Sequence, residues 1–165
     1  MKNLLASRRG ATVGDQYDLA RFVTAQDAGG TYRQAVAELR RGRKASHWMW
    51  FVFPQIAGLG QSPASRRFAI GSLAEARAYL AHPELGQRLV ECAAILAGTG
   101  GRTAEQIFGG LDAMKLQSCM TLFAAAAPGQ PLFSEVLERY FGAADPATQA
   151  RIGTMSPGHG EGNGE

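Results

Sequence analysis

Lysine is nearly missing from this chain: Lys2, Lys44 and Lys115 stand against fourteen arginines. Cysteine is as scarce. Cys92 and Cys119 have no CxxC spacing and no neighbouring histidine, which argues against a zinc site, so no metal is expected. With no disulfide framework in view, the expectation is reduced thiols in a cytoplasmic protein. No apolar run approaches the roughly 20 residues of a membrane span. The opening Met1-Lys2-Asn3-Leu4-Leu5-Ala6-Ser7-Arg8-Arg9 has too few apolar residues for a signal peptide. No Gly-x-Ser-x-Gly elbow supports a serine hydrolase. Charge is modest: the net value is +3 and the pI about 9.1, which permits an anionic partner without demanding nucleic acid.

What is present reads as one domain. At 165 residues, 45% hydrophobic and 19% charged, the chain can bury a core without staples. Residues 1–14 read as a leader. Residues 153–165, rich in glycine and holding His159, read as a disordered tail. Between them, over 15–152, the hydrophobic period is helical. Leu19, Phe22, Val23 and Gln26 follow Asp18, which suits an N-cap. Tyr32, Ala35, Val36 and Leu39 mark a second helix ending at Gly42. Ser72 with Glu75, and Thr103 with Gln106, have capping-box spacing. Pro83 opens a helix through Leu85, Leu89, Cys92 and Leu96. Asp112 suits the cap of a helix through Met114, Leu116, Met120 and Phe123, and Pro131 opens one with Phe133, Val136, Leu137 and Tyr140 inward. Asp145-Pro146 suits a last turn. The sum is a mainly α fold: a single compact domain of about seven helices with short connections and little or no sheet.

The densest segment is Arg40-Arg41-Gly42-Arg43-Lys44-Ala45-Ser46-His47-Trp48-Met49-Trp50-Phe51-Val52-Phe53-Pro54-Gln55. Its cations want water or an anion, and its aromatics want burial. The combination suits a site with a charged rim and an aromatic floor. Helix-end electrostatics alone accounts for cations at a C-terminus, at about 0.3–1 kcal/mol each. As an anion site, Arg43 and Lys44 hold phosphate. His47 suits phosphate binding or proton transfer. Residues 47–53 fit a buried strand or a buried helical turn. In a strand Trp48 and Trp50 face one side; in a helix they diverge. One of them is expected either in the core or as a stacking platform.

Gly58-x-Gly60-x-Ser62 begins like a dinucleotide fingerprint. Pro63 sits where that pattern nears its final glycine and no βαβ unit surrounds it, so a Rossmann site is excluded. The glycines and Ser62 still suit close approach to a phosphate. Asp112-x-x-Lys115-x-x-Ser118 places polar groups on an otherwise apolar helix, where a lysine must snorkel or meet an anion. Glu38 is the carboxylate beside the basic run. No cofactor is expected.

Several segments carry a family resemblance: Tyr17 to Val23, Ala25-Gln26, Glu38 to Phe51, Phe53-Pro54-Gln55, Gly58-Leu59-Gly60-x-Ser62, Glu75 to Leu89 through His82-Pro83, Ile107-Phe108-Gly109 and Met120-Thr121-Leu122-Phe123. Over about residues 15–142 the chain resembles the DUF1810 family of small, mostly helical bacterial proteins of uncharacterised function. Cys119 departs from the serine that the family pattern favours there, so the resemblance carries no essential hydroxyl over to position 119. Some members carry the label calpastatin, and nothing in the residues supports protease inhibition. The lysine–aromatic order, followed by Leu85-Gly86-x-Arg88-Leu89, is more distantly similar to the NADAR group, linked to ADP-ribose and to riboflavin-pathway N-glycosidic bonds.

That resemblance implies an N-glycosidic-bond hydrolase acting on a nucleotide or ADP-ribose-like ligand. Glu38 or Asp112 would stabilise an oxocarbenium-like centre, and His47 or Lys115 would orient substrate or move a proton. Arg43, Lys44, Trp48, Trp50, Gln55, Gly58, Gly60 and Ser62 would bind the ligand. The alternative is a non-catalytic module using the same cations and aromatics on an anionic small molecule or partner protein. A carboxylate near Lys44 and His47 with nothing to pair with would favour the enzyme.

Overall fold

The computed structural model describes residues 15–155. The expected leader and the part of the expected tail beyond Met155, including His159, lie outside the described residues; Gly153, Thr154 and Met155, expected in the tail, instead continue the last helix. The chain opens with α1 (Ala20–Asp27), a 3-10 turn (Ala28–Gly30), α2 (Thr31–Arg41) and a single helical turn α3 (Met49–Val52). There follow α4 (Pro63–Arg67), α5 (Leu73–Ala81), α6 (Leu85–Gly98), α7 (Ala104–Phe108), α8 (Gly110–Ala126), α9 (Leu132–Tyr140) and α10 (Pro146–Met155). Among the described residues the only β pairing is one isolated bridge, Ile56 with Ile70. The mainly α, single-domain expectation holds. Short helices α3 and α4 lie in segments too brief for a period to show, and the last turn at Pro146 is a ten-residue helix.

Caps set most boundaries. Thr103 and Gln106 form the full reciprocal box at α7. At α5 only half forms: Ser72 accepts from the Glu75 N–H at 3.0 Å, while the Glu75 carboxylate turns to Gly71 N–H and Arg21. The cap ahead of α1 is Asp15, not Asp18. Its carboxylate accepts from Leu19 N–H at 2.6 Å and Ala20 N–H at 3.1 Å, whereas Asp18 has a left-handed φ of 53°. His82 holds the start of α6, its Nδ1 accepting from Glu84 N–H and Leu85 N–H.

α8 is the axis of the molecule. It packs against α5, α7, α9 and α10, and Leu116, Cys119, Met120, Leu122 and Phe123 are fully enclosed, as a helix apolar on all sides requires. A string of rings crosses the core from α1 to α9. Phe22 meets Tyr79 edge-on at 5.1 Å, Tyr79 meets Phe123 at 5.3 Å, and Phe123 meets Phe133 at 6.0 Å. The first turns of α8 differ: Leu111 and Met114 are 77% and 67% exposed.

Candidate functional site: a lysine-walled cleft beside α8

α2 ends at Gly42, whose φ of 74° no side chain adopts cheaply. The Arg43 N–H returns to the Glu38 carbonyl at 3.0 Å, closing a Schellman turn that reverses the chain. The Lys44 N–H then bonds the Ile107 carbonyl at 2.7 Å, pinning the loop to α7. This reversal carries the loop over the Glu38 carboxylate, which is fully buried. Oε1 accepts from Ala45 N–H (2.7 Å), Ser46 N–H (3.0 Å) and Trp48 Nε1–H (2.8 Å). Oε2 accepts from the Ser46 hydroxyl (2.6 Å) and Gln34 Nε2–H (2.9 Å). Burial alone would raise the Glu38 pKa, but the Ser46, Ala45, Gln34 and Trp48 donors outweigh it and bring it down to about 2. Glu38 thus organises the loop from within and shows no free face to a ligand.

Lys44 lies inside the same loop. Its Nζ donates to the Ser46 carbonyl at 2.6 Å, pairs with Asp112 at 2.9 Å, and sits 5.1 Å from the centre of the Trp48 ring. Asp112 is shared: its other oxygen meets Lys115 at 3.1 Å. Burial acts to raise the Asp112 pKa, and the two lysines overcome it, leaving the carboxyl below its ordinary value. Asp112 therefore lies in the first turn of α8 as a bridge between lysines, and Gly109 takes the cap position. Lys115 in turn sits 5.1 Å from the Trp50 ring centre. Two ammonium groups on one carboxylate leave a local surplus of positive charge.

The helical turn α3 separates the two tryptophans. Trp48 is enclosed against Phe53 and Phe108, so its ring offers no surface for stacking. Trp50 points to a cleft of about 440 Å³ between the 55–65 segment, the exposed turns of α8 and the start of α10. Gln55, Gly60, Ser62 and Lys115 also line this cleft. Trp50 Nε1–H is buried without a hydrogen-bond partner, a costly state in a folded chain. Ser62 caps α4, accepting from Ser65 N–H at 3.1 Å.

The remaining expected site residues lie apart. Arg43 and His47 are exposed outside the cleft lining. Gly58 lies over the end of α10, where the Arg151 guanidinium donates to its carbonyl at 3.1 Å. Among the described residues no cluster of histidine, cysteine and carboxylate could hold a metal ion, and no helix is long and apolar enough to cross a membrane.

Sequence reasoning missed Asp145, Gln117, Leu111, Met114 and Leu59 as lining residues, and gave Ser118 no partner outside its helix. Ser118 instead shares a 2.7 Å hydrogen bond with the Thr148 hydroxyl, which donates on to Asp145. The Asp-Pro pair did mark Asp145 as a helix start. Nothing in the linear order shows that α10 folds back beside Lys115.

No curated protein matches the chain. In the solved structures, the conserved hypothetical protein Rv1873 from Mycobacterium tuberculosis is 50% identical, with a TM-score of 0.81, over 84% of this chain and 99% of its own. These matches do not extend to the NADAR group. The family described as "Protein of unknown function (DUF1810)" matches residues 16–152, and the chain belongs to that family.

Proposed function

We propose that this protein is a binding module for an anionic small molecule, taken up in the cleft beside α8 with Lys115 as its cation. One observation carries the reading: the Lys115 ammonium lines the cleft with one of its three N–H groups on Asp112. Its side chain is 21% exposed, against 10% for Lys44, so Lys115 is the lysine able to meet a ligand. The apolar shoulder of Leu59, Leu111 and Met114 beside Trp50 suits a ligand with an apolar face, the usual make-up of a small-molecule site.

Cleavage of an N-glycosidic bond is the weaker reading. It is expected to use Glu38 or Asp112 as the carboxylate facing an oxocarbenium-like centre. Glu38 already accepts from five donors, and Asp112 is offset by two lysines. Their combined surplus of positive charge opposes a developing cation.

The test is a thermal-shift series with ADP-ribose, NAD, GTP, riboflavin precursors and inorganic pyrophosphate, on wild type and Lys115→Ala. A true ligand at a hundred times its Kd stabilises by about 2.7 kcal/mol. Loss of a charge-assisted contact should weaken binding by roughly tenfold to a hundredfold in the variant. No shift with any of these compounds, or an equal shift in the variant, refutes the reading.

A further inference from the structure

The cleft has a second charged wall. Asp145 lines it beside α8, with its backbone N–H tied to the Thr121 hydroxyl at 2.8 Å. One carboxylate oxygen, Oδ2, caps α10, accepting from Thr148 N–H at 3.0 Å and from the Thr148 hydroxyl at 2.5 Å. Among the described residues Oδ1 accepts nothing, although the group is half-buried. The Thr148 hydroxyl lies 2.7 Å from the Ser118 hydroxyl, so the hydroxyls run in a chain from the cleft floor to the carboxylate. Gln117 stands on the same wall, with Nε2 spent on the Ala143 carbonyl at 3.1 Å, which leaves its carbonyl oxygen as an acceptor.

The rest of the lining decides which ligand group this wall fits. Apart from Lys115, Asp145 and the Trp50 indole, the polar side chains of the cleft are neutral glutamines and serines. Such groups both donate and accept, as hydroxyls do. An ammonium ligand would meet one carboxylate and then a row of groups with no need of its charge. A purely hydrocarbon ligand would strand Asp145 Oδ1 and the Gln117 oxygen in a dehydrated site. Sugar-like groups satisfy both demands, because their O–H groups bond the wall and their C–H face packs on an apolar shoulder. A free carboxylate oxygen can accept from two adjacent hydroxyls at once.

We infer that the ligand is a phosphorylated polyol of sugar size, with its anion at Lys115 and a vicinal diol on Asp145 Oδ1 beside Gln117 and Ser118. This inference rests on the binding reading above and adds the class of ligand and the residue that selects it.

Isothermal titration with ribose 5-phosphate and with n-butyl phosphate separates the two claims. The two probes share the phosphate and differ in hydroxyls. Wild type should bind ribose 5-phosphate at least tenfold tighter, and in Asp145→Asn the ratio of the two affinities should fall most of the way to one. Asparagine still caps a helix well, and an unchanged urea midpoint verifies that α10 stays in place. Equal binding of the two probes by wild type overturns the polyol inference and leaves the anion reading standing. A preference that survives in Asp145→Asn overturns the assignment to Asp145. Failure of both probes to bind wild type overturns the inference and counts against the anion reading, which the pyrophosphate arm then decides.

Discussion

Glu38→Gln is the substitution that most directly measures how the loop before Trp48 is held. The change keeps the length and shape of the side chain and removes only its charge, with one acceptor oxygen replaced by an NH₂ group. In the folded protein the carboxyl has moved from its ordinary 4.5 to about 2. A fall of that size corresponds to roughly 3 kcal/mol of stability at neutral pH. Glutamine cannot supply that term, so the variant should be less stable by about 2–3 kcal/mol at pH 7. For a domain of this size that is a drop of about 1–2 M in urea midpoint. The pH dependence has a definite sign. Because the folded pKa lies below the unfolded one, the contribution is complete well above 4.5 and shrinks as pH falls. It is gone once pH passes below about 2. Other carboxylates act equally in both proteins, so the difference between the two urea curves isolates Glu38. Equal midpoints at pH 7 would refute the reasoning, as would a gap that stays undiminished at pH 2.

Three further substitutions test the packing of the core and of the cleft wall. A Cβ at Gly86 would lie 2.0 Å from the Leu80 carbonyl oxygen, so Gly86→Ala must push α5 off α6, at about 1–3 kcal/mol or more; an unchanged melting temperature would show that the close approach is not needed. The tryptophans should respond oppositely to phenylalanine. Trp48→Phe takes a donor from Glu38 and should cost about 2 kcal/mol in urea unfolding, whereas Trp50→Phe removes a buried orphan N–H and should stay within about 1 kcal/mol of wild type.

The sequence made the helices legible wherever a period was long enough or a cap had a partner at fixed spacing. Ser72 and Thr103 are clear cases, because a capping side chain reads a backbone N–H only three residues on. Asp15 was missed because its carboxylate reaches residues four and five positions away, across an extra turn that nothing in the period announces. The Arg40–Gln55 segment was recognised as dense, but its division depended on α3. A single helical turn sent Trp48 inward onto Glu38 and Trp50 to the cleft wall, and four residues are too few to show which geometry wins. The Lys115 wall was visible because a lysine on an apolar helix needs a reason. The Asp145 wall was not, because tertiary folding alone brings α10 beside α8.

The separation of the two indoles also gives the protein two optical reporters of different kind. Trp48 is sealed among rings with its N–H on a carboxylate, so its emission should be blue-shifted and should change only when the chain unfolds. Trp50 borders the open cleft with an ammonium over its face, so its emission answers to whatever displaces or screens that charge. Unfolding and occupancy can thus be followed in one sample, each through its own indole.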